Sequence, residues 1–141
     1  MIKKINHSLL SDVYIVELNN ILDETGKIIV AEKGPDYSFN LERLFFVYDI
    51  KGARRGDHAH KECIQLLFCI NGSMEIIVDD GKNKKSFILD KASQGLLIPP
   101  SIWSWQNYLD DETILIVLCN KAYDENDYIR SYDDFISYRQ N

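Results

Sequence analysis

The chain has 141 residues, of which 45% are hydrophobic and 27% are charged, and its formal net charge is −6. This is the composition of one globular domain that can bury a core without disulfide bonds, and we predict a single domain over residues 1–141. The acidic balance argues against a nucleic-acid-binding protein, and no apolar run has the length of a membrane span. The amino-terminal segment lacks the apolar core of a secretory signal, and the three cysteines, Cys63, Cys69 and Cys119, lie in apolar stretches, so we predict buried thiols and a cytoplasmic location.

Short apolar and β-branched runs, separated by turn residues, cover most of the chain. A polar turn at 23–26 separates the first two runs, and Asn71-Gly72 is a strong hairpin signal between two later ones. Regularly spaced short strands without alternating helices predict a β-sandwich or barrel. The predicted strands are 12–18, 27–31, 43–50, 63–70, 73–78, 85–89, 95–98 and 113–118.

The composition changes after Asn120, where the chain becomes polar and acidic. Its apolar residues now recur at helical spacing, so we predict one terminal helix over 123–138, packed on the barrel. The predicted fold is therefore all-β with a short C-terminal helix.

The most informative stretch for chemistry is 52–72. Positions i and i+2 of a strand point to the same face, so His58 and His60 are predicted to project together, with Gln65 across from them. The spacing from Gly52 through these three residues to Gly72 resembles the first motif of the cupin family, with Gln65 in place of its acid. This predicts a single cupin-type β-barrel (jelly roll). A His-x-His pair in a strand without any function is the alternative.

The second cupin motif should fall at 99–104. Pro99 is present, but Ser101 replaces the glycine of the motif and Ser104 replaces its histidine. A cupin metal site resembles three histidines and a glutamate, and the only other histidine, His7, is far away in sequence. We therefore predict no bound metal and no cofactor. A metal held by the histidine pair together with waters is the alternative.

Two imidazoles without a metal suit proton transfer beside a ketone, since their ordinary pKa of about 6.5 is close to working pH. Residues 51–61 are locally positive, and guanidinium groups match phosphate oxygens, so Arg43 and Arg55 are candidates for holding a diphosphate, with surface ion pairs as the alternative. Trp103 is a candidate wall for a base or sugar ring, or a core residue. The predicted site has His58 and His60 for catalysis and, for substrate binding, Arg43, Arg55, Lys61, Gln65, Trp103 and Ser104.

Several longer strings are more specific than the cupin pattern. They are Arg55-Gly56-x-His58-Ala59-His60-Lys61, Asn71-Gly72-Ser73, Val78-Asp79-Asp80-Gly81 and the closing Tyr123-Asp124-Glu125-x-Asp127-Tyr128-Ile129-Arg130-x-Tyr132-Asp133-x-Phe135. Through these strings the sequence resembles the dTDP-4-keto-6-deoxyglucose 3,4-ketoisomerase family, over about residues 23–135.

The resemblance implies a metal-free cupin, typically a homodimer, that acts on a dTDP-linked 4-keto-6-deoxyhexose. Such an enzyme moves the keto group from C4 to C3, ahead of an aminotransferase. His58 resembles the base that takes the C3 proton, His60 the second histidine beside the C3–C4 edge, and Arg43 and Arg55 active-site basic residues. Many members have a histidine where this chain has Ser104, so the C4 configuration of the product and the donor of the C4 proton stay open. A nucleotide-sugar-binding cupin without catalysis is the alternative.

Overall fold

The computed structural model describes residues 6–141 and consists mainly of antiparallel β-strands. One α-helix, α1 (Tyr132–Gln140), follows them, and two short 3-10 helices span Leu10–Asp12 and Glu125–Asp127. The strands are β1 (Tyr14–Glu17), β2 (Asn19–Leu22), β3 (Lys27–Val30), β4 (Arg43–Asp49), β5 (Arg54–His60), β6 (Gln65–Asn71), β7 (Met74–Asp79), β8 (Lys84–Leu89), β9 (Gln94–Ile98), β10 (Trp103–Tyr108), β11 (Thr113–Cys119) and β12 (Tyr128–Ile129).

These strands form two five-stranded sheets and one separate hairpin. Sheet 1 has the order β1-β9-β6-β11-β4, sheet 2 has the order β12-β5-β10-β7-β8, and β2 pairs with β3. Every pair of neighbouring strands is antiparallel. The predicted all-β fold with a short C-terminal helix is confirmed.

The main core lies between the two sheets. Alternate residues of β7, Met74, Ile76 and Val78, are fully buried and belong to the same cluster as Leu115 and Val117 of β11. A period of two is what a strand with one core-facing side requires. Burial of each such side chain contributes about 1.5–3 kcal/mol, so these contacts hold the two sheets together.

The Asn71-Gly72 turn joins the two sheets instead of closing a hairpin. The strand before it, β6, pairs with β9 and β11, and the strand after it, β7, pairs with β8 and β10. Gly72 has a φ of +76°, and a Cβ at this position would lie 2.7 Å from Thr113 Oγ1. The predicted hairpin is wrong because the core-facing sides of β6 and β7 bury against each other across the core, and each strand finds its backbone partners elsewhere.

The carboxy-terminal segment also differs from its prediction. Only α1 is α-helical, and the predicted helix over 123–138 is wrong in its first half. That half forms the 3-10 helix Glu125–Asp127 and then β12, whose two residues pair with His60 and Ala59 of β5. The side chain of Ser131 then caps the start of α1, which explains why the helix begins where it does.

The eight predicted strands are confirmed to within a few residues. β2 and β10, like β12, were not predicted, and β5 was predicted without bounds, only as the strand that carries His58 and His60. The β10 sequence is rich in tryptophan and polar residues and follows a double proline, so it lacks a simple apolar alternation. Within residues 6–141 there is no helix with the length and apolarity needed to cross a lipid bilayer. The extent of the single domain stays a prediction.

Candidate active site

A cavity of about 220 Å³ opens between the two sheets beside β5. Its apolar residues come from β4, β6 and β11, and most of its polar residues come from β5, β10 and the segment that contains β12. The polar side chains on its wall are those of Arg55, His58, Gln65, Gln106, Tyr108, Tyr128 and Arg130. The cavity thus joins an apolar interior to one imidazole, two phenols and two guanidinium groups.

Gly56 and Asp57 bend β5 immediately before His58. Their φ values are +97° and +56°, and the pairing register between β5 and β10 shifts opposite this bend. An irregularity of this kind redirects the side chains that follow it. His58 consequently lies on the cavity wall, and its ring centroid is 5.0 Å from that of His60. The two histidines share one side of the strand, as their spacing predicted.

Gly56→Ala is expected to lower the free energy of unfolding by about 1–3 kcal/mol. An added Cβ would lie 3.0 Å from the Ser104 carbonyl oxygen and from Trp105 Cα, and these backbone atoms cannot turn away. Gly52→Ala is the matched control, since Gly52 has a φ of +90° but nothing within 4 Å of the new Cβ. Urea unfolding of both variants measures the two losses in free energy of unfolding. The Gly52→Ala loss reports the cost of an alanine at positive φ, and the additional loss in Gly56→Ala reports the steric clash. An equal loss in the two would contradict the steric part.

His58 is poised as an unprotonated base. Its Nδ1 lies 3.2 Å from the Gly56 carbonyl oxygen, which can only accept, so Nδ1 carries the hydrogen and Nε2 is free to take a proton. Burial, followed by the neighbouring His60, lowers the pKa of His58 to about 4. The imidazole is therefore neutral at neutral pH.

Activity that depends on His58 as a base is expected to stay constant from neutral pH down to about pH 5 and to fall about tenfold per unit below about pH 4. Protonation of His58 removes the base, and kcat/KM as a function of pH reports its pKa in the free enzyme. The lowered pKa of His58 also makes the folded protein less stable as pH falls from about 6.5 to about 4, because the unfolded chain binds the proton more readily. Circular dichroism at each pH identifies the folded range. An acid limb centred at about pH 6.5 in folded protein would contradict the shift.

His60 forms a buried pair with Asp127. Nδ1 of His60 and Oδ2 of Asp127 are 2.8 Å apart, and the two side chains are 6% and 5% exposed. Asp127 Oδ1 also accepts the backbone N–H of Glu62 at 2.7 Å. Burial lowers the pKa of His60, although the hydrogen bond to Asp127 opposes this, so the pair is a neutral imidazole donating to a carboxylate. Asp127 therefore fixes the tautomer in which Nε2 of His60 is unprotonated.

Tyr128 packs on both histidines. Its ring centroid is 5.0 Å from that of His58 and 4.4 Å from that of His60. Arg43 reaches the tyrosine from β4, and its Nη2 donates to the hydroxyl oxygen of Tyr128 at 3.3 Å and to Sγ of Cys119 at 3.7 Å. Arg43 thus lies behind Tyr128 and not on the cavity wall.

Two arginines stand at the mouth of the cavity. Arg55 pairs with Asp49 at 2.6 Å, and Arg130 pairs with Glu125 at 2.5 Å. The arginine side chains are 56% and 52% exposed, and exposed ion pairs contribute little to stability, so a phosphate can compete for either guanidinium. Arg55 therefore forms a surface ion pair and also lies on the cavity wall, so the two interpretations made from the sequence are compatible.

The other predicted site residues divide into two groups. Gln65 lies on the cavity wall, and the buried Ser104 pairs with His58 across β5 and β10. Trp103, by contrast, packs between sheet 2 and α1. Lys61 lines a neighbouring surface groove that shares Tyr128 and Arg130 with the cavity. Trp103 is thus a core residue, the alternative considered for it, and neither of these two residues is on the cavity wall.

One group beside the site has the composition of a metal site. His60, Cys63 and Asp127 bring one ligand atom each to within 4.8 Å of one another. Their protonation does not fit a cation, because Nδ1 of His60 carries the hydrogen that it donates to Asp127. A hydrogen bond with Cys119, followed by burial, also raises the pKa of the Cys63 thiol. The prediction of no bound metal stays a prediction.

Comparison with known proteins gives the family. The family model described as FdtA (WxcM-like, C-terminal) matches residues 11–140. The chain belongs to this family.

Individual members of the FdtA family and solved structures agree with this assignment. TDP-4-oxo-6-deoxy-alpha-D-glucose-3,4-oxoisomerase of Aneurinibacillus thermoaerophilus is 35% identical over 125 residues, which cover 88% of this chain and 90% of that one. A 3,4-ketoisomerase from Helicobacter canadensis is 36% identical with a TM-score of 0.88, covering 92% of this chain and 98% of that one. A histidine-to-asparagine mutant of the 3,4-ketoisomerase QdtA from Thermoanaerobacterium thermosaccharolyticum, in complex with TDP-4-keto-6-deoxyglucose, is 32% identical with a TM-score of 0.89, covering 94% and 96%. The family predicted from the sequence is confirmed.

Gln106 of β10 and three residues further along the chain were not assigned to this FdtA-family site from the sequence. Asp127, Tyr128 and Arg130 all belong to the closing string by which the family was recognised. Because that string was interpreted as part of a helix, its contacts with β5 were not predicted. One feature of the sequence could have indicated them: an acid, a phenol and a guanidinium group occur within four consecutive residues, 127–130.

Proposed function

We propose that this protein is a sugar-nucleotide 3,4-ketoisomerase that converts a dTDP-linked 4-keto-6-deoxyhexose into its 3-keto isomer. The observation that carries the proposal is His58, a neutral imidazole with a free Nε2 on the wall of a cavity whose mouth holds two arginines. Membership of the FdtA family supports the reaction class. The complex of mutant QdtA with TDP-4-keto-6-deoxyglucose supports the substrate.

The reaction moves hydrogen between neighbouring carbons and needs no external oxidant. His58 Nε2 takes the proton from C3, and the C4 carbonyl stabilises the resulting carbanion as an enolate. A proton passes from O3 to O4, and protonation of C4 then leaves the carbonyl at C3. A positioned base contributes roughly 10²–10⁴-fold to the rate of such a step.

The arginines at the mouth are placed to hold the diphosphate. Arg55 lies immediately before the Gly56-Asp57 bend that precedes His58, and Arg130 lies two residues after Tyr128. Guanidinium groups bind phosphate oxygens through paired hydrogen bonds, so a diphosphate would replace the carboxylates of Asp49 and Glu125. The hexose would then reach inward to His58, with Gln65 on the opposite strand as a further contact.

The proposal is tested by incubating the protein with dTDP-4-keto-6-deoxyglucose in deuterated water and following the sugar by NMR. The expected result is a 3-keto product and deuterium at C3 of the recovered substrate, and the same spectra give the C4 configuration of the product. Failure to see either would contradict the proposal. Tight binding of the nucleotide sugar without exchange would favour the non-catalytic binding module. Loss of activity with a chelator, restored by Fe, Mn, Ni or Zn, would favour a metal-dependent cupin.

We further propose that the protein is a homodimer through the outer face of sheet 1. Leu44, Phe46 and Tyr48 alternate along β4 on the side away from the core and are 45%, 51% and 69% exposed. Leu44 also lines an apolar groove of about 530 Å³ that contains Ile70 of β6. An exposed apolar face of this kind is typical of a protein–protein interface, and a face that meets its own copy closes by twofold symmetry.

Phe46→Glu is expected to convert the dimer, of twice 16.4 kDa, into a monomer, because the carboxylate would be buried without a partner. Size-exclusion chromatography with light scattering measures the mass. Ile88→Glu is the matched control, since Ile88 is 49% exposed on β8 of sheet 2. A monomeric native protein, or a dimer that survives Phe46→Glu, would contradict this interface.

The cytoplasmic location stays a prediction, with which the free thiols of all three cysteines agree.

A further inference from the structure

The return of a proton to C4 requires an acid on the cavity wall. The amides of Gln65 and Gln106 and the guanidinium groups of Arg55 and Arg130 do not release protons near neutral pH. His58 is occupied at C3 as the base. The remaining groups on the wall with an exchangeable proton are the hydroxyls of Tyr108 and Tyr128.

Tyr108 is poorly suited to give up its proton. Its side chain is 1% exposed, and its hydroxyl has no hydrogen-bond partner within residues 6–141. Burial raises the pKa of Tyr108 to about 12. A phenolate here would form in the apolar core with no hydrogen bond to stabilise it.

Tyr128 has the opposite surroundings. Arg43 donates to its hydroxyl oxygen at 3.3 Å, and the guanidinium of Arg130 lies over its ring, 4.3 Å from the centroid. Two guanidinium groups therefore lie against the phenol, one at its oxygen and one over its ring, and opposite charges attract, so both are placed to interact with the oxygen when its proton leaves. Because Arg43 is the donor, the hydrogen of the Tyr128 hydroxyl is available to another partner.

The backbone holds Tyr128 against the base. Tyr128 pairs with His60 in the register of β12 and β5, and its ring contacts both histidines. The neighbouring Asp127 ties the same segment to His60 by a 2.8 Å hydrogen bond. A group held on two sides in this way can act at the carbon next to the one from which His58 takes its proton.

We infer that Tyr128 is the catalytic acid that protonates C4, an inference that rests on the proposed ketoisomerase function. After His58 has taken the C3 proton and one proton has passed from O3 to O4, the O–H bond of Tyr128 breaks and a C4–H bond forms. The electrons of the enediolate C3–C4 double bond form the new C4–H bond, and a C3 carbonyl results. The phenolate regains a proton from the His58 imidazolium through water, so both residues return to their starting states.

The test compares Tyr128→Phe with the native enzyme, using dTDP-4-keto-6-deoxyglucose in deuterated water. Tyr128→Phe keeps the ring packed on the histidines, so we expect a folded enzyme that still exchanges the C3 hydrogen of the substrate but forms the 3-keto product at least about 100-fold more slowly. Tyr14→Phe is the matched control, because Tyr14 is 50% exposed on β1 and is not on the cavity wall, so loss of its hydroxyl should leave both rates unchanged.

The outcomes separate this inference from the function on which it rests. A native enzyme that neither exchanges nor isomerises contradicts the function itself. Product formation near the native rate by Tyr128→Phe, or an equal loss of exchange and product, contradicts the role of Tyr128 as the C4 acid. A loss caused by Tyr108→Phe instead would assign the acid to that residue.

A second measurement needs no variant. Substrate deuterated at C3 is converted by the native enzyme in ordinary water, and deuterium at C4 of the product is measured. A tyrosine that exchanges with water between turnovers delivers hydrogen, so we expect no label at C4. Transfer of the label from C3 to C4 would show that His58 carries the proton itself and would overturn the inference.

Discussion

His58→Asn is expected to lower turnover of the 4-keto sugar nucleotide by at least about 100-fold and to abolish deuterium exchange at C3. The amide of asparagine can still donate to the Gly56 carbonyl oxygen, as Nδ1 of His58 does at 3.2 Å, so the local backbone should keep its shape. An amide cannot accept a proton near neutral pH, so the base is lost while the cavity remains. Initial rates and NMR exchange spectra measure the two effects.

His7→Asn is the control for this substitution. His7 lies far from the cavity, where its Nε2 contacts the carbonyl oxygen of Asn141 and its ring packs on Tyr138. The control should turn over at the native rate, and both variants should keep their binding of dTDP. Near-normal turnover by His58→Asn would remove His58 from the role of the base.

Asp127→Asn is expected to lower turnover by about 100-fold or more through its effect on His60. The carboxylate accepts from Nδ1 of His60 and from the backbone N–H of Glu62 at the same time. An asparagine has one acceptor oxygen; if this oxygen keeps the bond to Glu62, the amide NH₂ faces the imidazole. Nδ1 of His60 must then accept, so its hydrogen moves to Nε2 and the tautomer is reversed.

The tautomer provides a measurement that a merely structural role would not change. In ¹⁵N NMR spectra the chemical shifts of Nδ1 and Nε2 of His60 should exchange between the native enzyme and Asp127→Asn. The variant also loses a charge-assisted hydrogen bond in a buried place, so a lower free energy of unfolding, by about 1–3 kcal/mol, is expected as well. Asp133→Asn, an exposed change in the first turn of α1, is the control. An unchanged tautomer with reduced activity would show that Asp127 acts only through stability.

The parts of the fold that depend on local patterns were predictable. The alternation in β7 and β11 marks one buried side of each strand, and the i, i+2 spacing of His58 and His60 places both rings together whatever the rest of the fold does. The Asn71-Gly72 turn shows the limit of this reasoning. A turn sequence specifies a reversal of the chain but not which strands then pair, and here β6 and β7 reverse into different sheets.

The parts of the site that depend on long-range contacts were not predictable from spacing. His60 and Asp127 are 67 residues apart, and nothing local to either indicates the other. Trp103 faces α1 because of the position of β10 between β5 and β7, a strand that the sequence pattern did not reveal. The apolar residues after Asn120 recur at helical spacing, so β12 was not predicted. A two-residue strand is too short to show the alternation that identifies a strand.

The place of β12 in the chain affects the order in which the protein gains activity during synthesis. Asp127 and Tyr128 emerge from the ribosome after the other nine strands of the two five-stranded sheets, and they add to β5, a strand made some 70 residues earlier. A nascent chain released before this segment would hold nine of the ten strands of the two large sheets, with His58 in place but with His60 free to adopt either tautomer. Competence to complete the isomerisation would thus arrive as one of the last events of biosynthesis, because a chain without this segment keeps the base His58 but lacks the acid at C4.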